Sequence, residues 1–214
     1  AVIQCGDVMY DCVLFYSDLA EKNQNLFNDL ELVDDHRQIK QFVLATIHRP
    51  ENTDFPERLK SILSALGQIA QKIPVILPLH PRTRNFIEQS PQLKNLCPLV
   101  QIREPLSYLE MILLEKHCAF ICTDSGGVQK EAYFFKKPCI TMRDQTEWVE
   151  TVNSGWNIIT SGDLTRILKS YQQAMQWYER DTSVSPFGFK TKTSQNLYGN
   201  GNSAKMIVEI IEPK

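Results

Sequence analysis

Residues 119–131 read Ala119-Phe-Ile-Cys-Thr-Asp-Ser-Gly-Gly-Val-Gln-Lys-Glu131. The apolar run over 119–122 predicts a buried strand, 123–127 a tight turn, and the helix opens at about 128. Gly126 and Gly127 place no Cβ between the backbone and a ligand. A helix that starts there directs unpaired N–H groups and the positive end of its dipole at one spot, which suits an anion such as phosphate. Ser125 adds a hydroxyl. Glu131, one turn further, would repel a phosphate; its carboxylate suits a sugar hydroxyl, such as that of a nucleotide ribose. Glycines used only for packing in an ordinary strand–turn–helix fit the spacing as well. The stretch is neither G-x-x-x-x-G-K-[ST] nor G-x-G-x-x-G.

Working outward, strand and helix alternate. Apolar runs at 42–47, 75–79, 99–102, 138–142 and 155–159 predict further strands. Helices are expected over 8–20, 55–72, 84–89, 108–115, 128–135, 148–153, 164–178 and 203–211. Val8, Cys12, Phe15 and Leu19 are expected to face inward from the first helix, and Ser203 to cap the last. Residues 1–5 are expected as a short strand, 21–40 as a helix–loop–helix and 181–201 as a loop. The alternation means an α/β fold, a parallel sheet with helices on both faces. Such sheets bind ligands at the carboxyl ends of their strands, where His48, His80, Glu104 and Ser125 all fall.

The bulk properties narrow the function. At 214 residues with 43% hydrophobic and 22% charged residues, the chain is an ordinary globular protein. Its net charge of −2 gives no basic footprint, so neither nucleic acid nor membrane is an expected partner. No signal peptide is read, and the chain opens inside a strand-like run, so its start is expected to be a cut. The six cysteines lack C-x-x-C pairs or zinc spacing with histidine and are expected as free thiols in a reducing cytoplasm.

The strand ends carry the chemistry. His48 heads a loop with Arg49, Glu51 and Asn52 and can exchange a proton or donate to a phosphate. His80, with Arg82 and Arg84, suits a second anionic group. Arg143 and Glu147 follow the strand after the glycine turn and are expected at the same cleft. Tyr108 and Met111 suit either the border of a flat base or the core.

Six segments, in order, carry a resemblance: Gly6-Asp-Val-Met-Tyr-Asp11, His48-Arg-Pro-Glu-Asn52, Pro78-Leu-His-Pro-Arg-Thr83, Thr123-Asp-Ser-Gly-Gly-Val-Gln-Lys-Glu131, Met142-Arg-Asp-Gln-Thr-Glu-Trp-Val-Glu150 and Tyr198-Gly-Asn-Gly-Asn-Ser203. The chain resembles the carboxyl-terminal domain and closing tail of the UDP-N-acetylglucosamine 2-epimerase family, of the non-hydrolysing type. The resemblance implies one Rossmann-like half of a two-domain enzyme of the glycosyltransferase-B type. Residues 1–185 would form the UDP-binding domain and 186–214 the closing loop and helix. Ser125, Gly126 and Gly127 would hold the diphosphate, Glu131 the ribose, and Met111 would contact the uridine. His48 would be the catalytic histidine at the leaving diphosphate. Arg49, Glu51 and His80 match an activator site of some bacterial relatives. Trp148 stands where many relatives carry arginine, which leaves Arg143 as the substitute cation.

The reaction so implied is elimination and re-addition. UDP leaves C1 as the C2 proton is removed, and adds back while C2 is protonated on the other face. This half would stabilise the diphosphate as its charge grows, at roughly 3 kcal/mol for one well-placed donor. The acid–base groups would lie in the amino-terminal domain, the expected partner along with a UDP-sugar and a second copy in a homodimer. No cofactor and no metal are expected. The alternatives are an epimerase of a modified sugar such as UDP-diacetamido-glucuronic acid, a hydrolysing 2-epimerase, a glycosyltransferase donor domain, and a UDP-binding module without catalysis.

Overall fold

The computed structural model describes residues 2–178, 185–187 and 196–212, apart from the Arg82 side chain. Six strands form one sheet: β1 (Val43–Thr46), β2 (Val75–Pro78), β3 (Gln101–Arg103), β4 (Phe120–Thr123), β5 (Cys139–Thr141) and β6 (Asn157–Ile159). Their order is β3-β2-β1-β4-β5-β6 and every pairing is parallel. This is the doubly wound order, whose direction reverses between β1 and β4. There Val43 pairs with Phe120 and Thr46 with Thr123. The ends of β1 and β4 therefore stop side by side, and the crevice beyond them is where such folds hold ligands.

The helices are α1 (Val8–Ala20), α2 (Asn25–Asp29), α3 (Pro50–Thr53), α4 (Pro56–Ala70), α5 (Pro81–Glu88), α6 (Pro91–Leu96), α7 (Tyr108–His117), α8 (Gly126–Phe134), α9 (Val149–Asn153), α10 (Leu164–Tyr178) and α11 (Ser203–Ile211). Successive strand residues point to opposite faces, so a strand covered on both sides must be apolar throughout. Val43, Ala45, Phe120 and Cys122 share one core with Leu59, Leu63 and Leu66 of α4 and Ile167 of α10. Leu44, Ile121 and Cys139 share the other with Val13 of α1, Ile112 and Leu113 of α7 and Ala132 of α8. Ser107 and Glu110 form a reciprocal capping box at the start of α7.

Several expectations need correction. Residues 2–5 belong to no strand; Gly6 turns the chain at φ +88°, and the Asp7 N–H donates to the Tyr198 carbonyl at 3.0 Å. In place of a helix–loop–helix, 21–40 contains only α2 and an isolated antiparallel bridge between Val33 and Ile39. Positive φ at Glu31 and Arg37 prevents a second helix. Leu26, Phe27, Leu30 and Leu32 are nonetheless buried, and His36 is exposed. In α1 the inward face is Val13, Ser17 and Ala20, whereas Val8, Cys12, Phe15 and Leu19 are exposed. That helix is apolar on more than one side, so spacing alone cannot choose its face. Asn202, not Ser203, occupies the N-cap position of α11, and Ser203 is its first residue. Helices α3 and α6 were not expected, although Pro50 and Pro91 open them. The expected loop over 181–201 lies largely outside the described residues.

Candidate functional site

The turn after β4 is built by short local bonds. Thr123 Oγ1 accepts the Ser125 N–H at 2.9 Å, and Ser125 Oγ caps α8 by accepting from Val128 N at 3.5 Å. Gly126 and Gly127 are the first two residues of α8, so their N–H groups have no intrahelical acceptor. Among the described residues no side chain takes their place. Trp148 Nε1 donates to the Gly126 carbonyl at 2.9 Å and fixes the peptide from the opposite side.

Asp124 joins this turn to the loop after β1. It is fully buried, and it accepts from the His48 N–H at 3.1 Å, the Arg49 N–H at 3.0 Å and Asn52 Nδ2 at 2.9 Å. His48 Nδ1 lies 3.0 Å from the same carboxylate. Burial alone would raise the Asp124 pKa; the bonds from His48, Arg49 and Asn52 outweigh it and hold the carboxyl below its usual range. A carboxylate partner requires a proton on Nδ1. That leaves Nε2, on the half-exposed edge of the ring, to accept from or donate to a ligand.

The cations of the site are already in ion pairs. Arg143 is buried and donates from Nε to Glu51 at 3.3 Å and from a terminal nitrogen to Glu147 at 2.7 Å. Arg49 reaches Glu147 at 4.0 Å, but its Nε is enclosed without an acceptor. Glu147 also lies beside Gly126, whose missing Cβ would stand 2.8 Å from Oε1.

Glu131 turns from the glycine turn toward α7. It is buried, with Tyr108 and Glu115 of α7 near its carboxyl group. Burial raises its pKa against the opposing effect of those groups and of Lys130. Tyr108, Met111 and Glu115 are spaced three and four residues apart on α7 and so share one face. Met111 is half-buried against the core that holds α8.

A family model described as UDP-N-acetylglucosamine 2-epimerase matches residues 1–212. The chain belongs to the UDP-N-acetylglucosamine 2-epimerase family. It is similar to a UDP-N-acetylglucosamine 2-epimerase homolog of Methanococcus maripaludis, 42% identical over 98% of this chain and 54% of the relative. A UDP-2,3-diacetamido-2,3-dideoxy-D-glucuronate 2-epimerase of Pseudomonas aeruginosa is 41% identical over 98% of this chain and 52% of its own length. The solved UDP-GlcNAc 2-epimerase of Methanocaldococcus jannaschii superimposes with a TM-score of 0.76 at 35% identity, covering 96% of this chain and 54% of that one. A second structure of that enzyme holds UDP-GlcNAc and UDP. This epimerase-family chain thus spans about half the length of the curated relatives it matches.

The epimerase fold gathers Ser125, Gly126, Gly127, His48, Arg49, Glu51 and Arg143 around the β1–β4 crevice, while Glu131 and Met111 belong to the adjoining α7–α8 seam. His80 is set apart. It shares a cavity of about 920 Å3 with His48, Thr83, Phe86 and Gln89, and neither Arg49 nor Glu51 lines that cavity among the described residues. No group of three or more His, Cys, Asp or Glu among the described residues is placed for a metal ion. No described helix is long and apolar enough to cross a membrane.

Sequence reasoning did not single out Asp124, Asn52, Glu115 or the Trp148 indole for these contacts. Asp124 left a signal, an acid between a buried strand and a helix start. The others owe their positions to tertiary pairing between segments far apart in sequence.

Proposed function

We propose that this chain is the carboxyl-terminal, UDP-binding half of a non-hydrolysing 2-epimerase of UDP-sugars. The observation that carries the reading is the single Asp124 carboxylate, which holds the His48 loop beside the unpaired Gly126 and Gly127 N–H groups. A diphosphate seated on those amides meets His48, which the Asp124 carboxylate holds beside them. As the C1–O bond of the sugar breaks, charge grows on the diphosphate, and donors fixed beforehand stabilise it without reorganising. Glu131 receives the ribose and Met111 borders the base. Arg143, balanced by Glu51 and Glu147, shapes the crevice more than it adds net charge. Arg49, Glu51 and His80 are retained as candidates for an activator site, with the His80 cavity as its wall. In this reading 1–185 forms the nucleotide-binding unit and 186–214 closes it, which is supported by the return of Tyr198 to Asp7 and Glu150.

The acid–base groups for C2 are assigned to the half of the relatives' length that this chain does not match. Calorimetric titration with UDP checks the proposal. Saturable binding is expected, reduced at least tenfold in the Ser125→Ala/Glu131→Ala double variant, with no epimerisation by this chain alone. Unchanged affinity in the double variant would sink the site.

A second substrate stands on nearly equal similarity. The Pseudomonas aeruginosa relative, named for a UDP-diacetamido-glucuronate, is 41% identical against 42% for the UDP-N-acetylglucosamine homolog. Product analysis with both sugar nucleotides, after this chain is joined to a relative's remaining half, decides between them. Free UDP released in step with sugar would instead indicate hydrolysis.

A further inference from the structure

Lys130 follows the glycine turn within α8, and its side chain is only 8% exposed. A buried ammonium needs a counter-charge and polarisable walls. Asp7 supplies the charge through Oδ2, while its Oδ1 caps α1 by accepting the Met9 N–H at 2.8 Å. The walls are aromatic. Lys130 Nζ stands over the Trp148 ring, 4.5 Å from its centroid, and over the Tyr198 ring at 5.2 Å. Tyr198 is tied in turn, by its hydroxyl to Glu150 at 2.8 Å and by its carbonyl to the Asp7 N–H at 3.0 Å. One wall of this cage reaches the glycine turn. The Trp148 backbone is anchored apart from its ring: Thr146 Oγ1 accepts its N–H at 3.1 Å, and Thr151 Oγ1 donates to its carbonyl at 2.7 Å. The half-buried indole is steered by two other contacts, Lys130 on its face and the Gly126 carbonyl, which accepts from Nε1 at 2.9 Å, on its edge.

A trans peptide is planar, with its C=O and N–H pointing opposite ways. The Gly126 carbonyl and the Gly127 N–H belong to one such unit. A donor that fixes the carbonyl on the Trp148 side therefore fixes the N–H toward the other side. The bond accepted at that carbonyl also polarises the unit and strengthens its N–H as a donor. We propose that Lys130 is a positioning residue for the diphosphate: clamped by Asp7, it holds the Trp148 indole against the Gly126 carbonyl and so aims the Gly127 N–H into the β1–β4 crevice. The proposal rests on the reading of that amide as a diphosphate donor. It makes Asp7, Lys130 and Trp148, from three separate segments of the chain, one series of contacts that ends at the amide.

Amide and indole NMR spectra, with UDP and uridine titrations, test this on 15N-labelled wild type, Trp148→Phe, Lys130→Met and their combination. The chain has three tryptophans, so the indole signal lost in Trp148→Phe is that of Trp148. Without ligand, that signal and the Gly127 amide proton should both move upfield in Lys130→Met as the hydrogen bond weakens. UDP affinity should fall roughly fivefold in Lys130→Met and in Trp148→Phe, with uridine affinity within about twofold of wild type. Because both residues act through one peptide, the combined variant should lose no more than the weaker-binding single one. A Lys130→Met chain that is less stable but binds UDP like the wild type overturns the proposal, as do unmoved ligand-free signals or additive losses. Should Lys130→Met not fold with Asp7 left unpaired, Asp7→Asn/Lys130→Met removes both charges and keeps a side-chain cap on α1, and the same signals and affinities decide. Gly126 and Gly127 amides that UDP leaves in place in the wild type would remove the diphosphate reading, while the ligand-free shifts separately report whether Lys130 holds the peptide.

Discussion

The Asp124 carboxylate takes donors from two backbone amides, one side-chain amide and one imidazole, all from residues 48–52. Asn52 Nδ2 extends the link to the Met142 carbonyl at 3.0 Å, and Arg58 Nε donates to Asn52 Oδ1 at 2.6 Å. Removing a buried acceptor leaves its donors without partners, which costs more than the bonds themselves contribute. Asp124→Asn is expected to destabilise the chain by about 3 kcal/mol in urea denaturation at neutral pH. The pH dependence has a definite sign. The folded-state pKa of Asp124 is depressed, so its stabilisation is present above the unfolded value of about 3.9 and is lost as pH falls through the folded value. The wild type should lose this stability in acid, and the asparagine variant should lack that part of the acid limb. An Asp124→Asn chain as stable as wild type at neutral pH would show that the loop is held by other contacts.

Two glycines, each in a helix, illustrate what an element can tolerate. In α4 a Cβ on Gly67 would lie 1.9 Å from the Leu96 carbonyl oxygen, where α6 ends. Backbone cannot yield as a side chain can, so Gly67→Ala should part α4 from α6 and cost roughly 3 kcal/mol, measured by thermal unfolding. In α8 a Cβ on Gly126 meets Glu147 Oε1, the end of a flexible and half-exposed side chain. Gly126→Ala should cost under about 1 kcal/mol of stability yet weaken UDP binding at least tenfold, since the methyl displaces Glu147 beside the proposed diphosphate amides. Equal stability losses in the two variants would contradict this division between packing glycine and site glycine. A mid-helix glycine costs about 1 kcal/mol relative to alanine, so Gly67 in the sequence already hinted at a close approach. The helix partner was not legible, because α6 had not been expected.

For the whole molecule, the sheet was legible because its central strands β1, β2, β4 and β5 are buried and so read as largely apolar runs separated by amphipathic helices. The positions of His48, His80, Glu104 and Ser125 after strand ends followed directly, and the structure places each there. Strand order was not legible: nothing local to residues 43–46 or 120–123 states that they pair. It is that pairing which sets Asp124 against His48. The inward face of α1 and the course of 21–40 were misread for a related reason, since tertiary contacts and positive φ values override periodicity there. What the account asserts above all is that a nucleotide diphosphate sits on the Gly126 and Gly127 amides in the β1–β4 crevice. The direct measurement is the amide spectrum of 15N-labelled chain titrated with UDP and, separately, with uridine. Saturable shifts of the Gly126 and Gly127 N–H signals with UDP, absent with uridine, are the predicted result; amides that stay unmoved by UDP, or move equally with uridine, would contradict it.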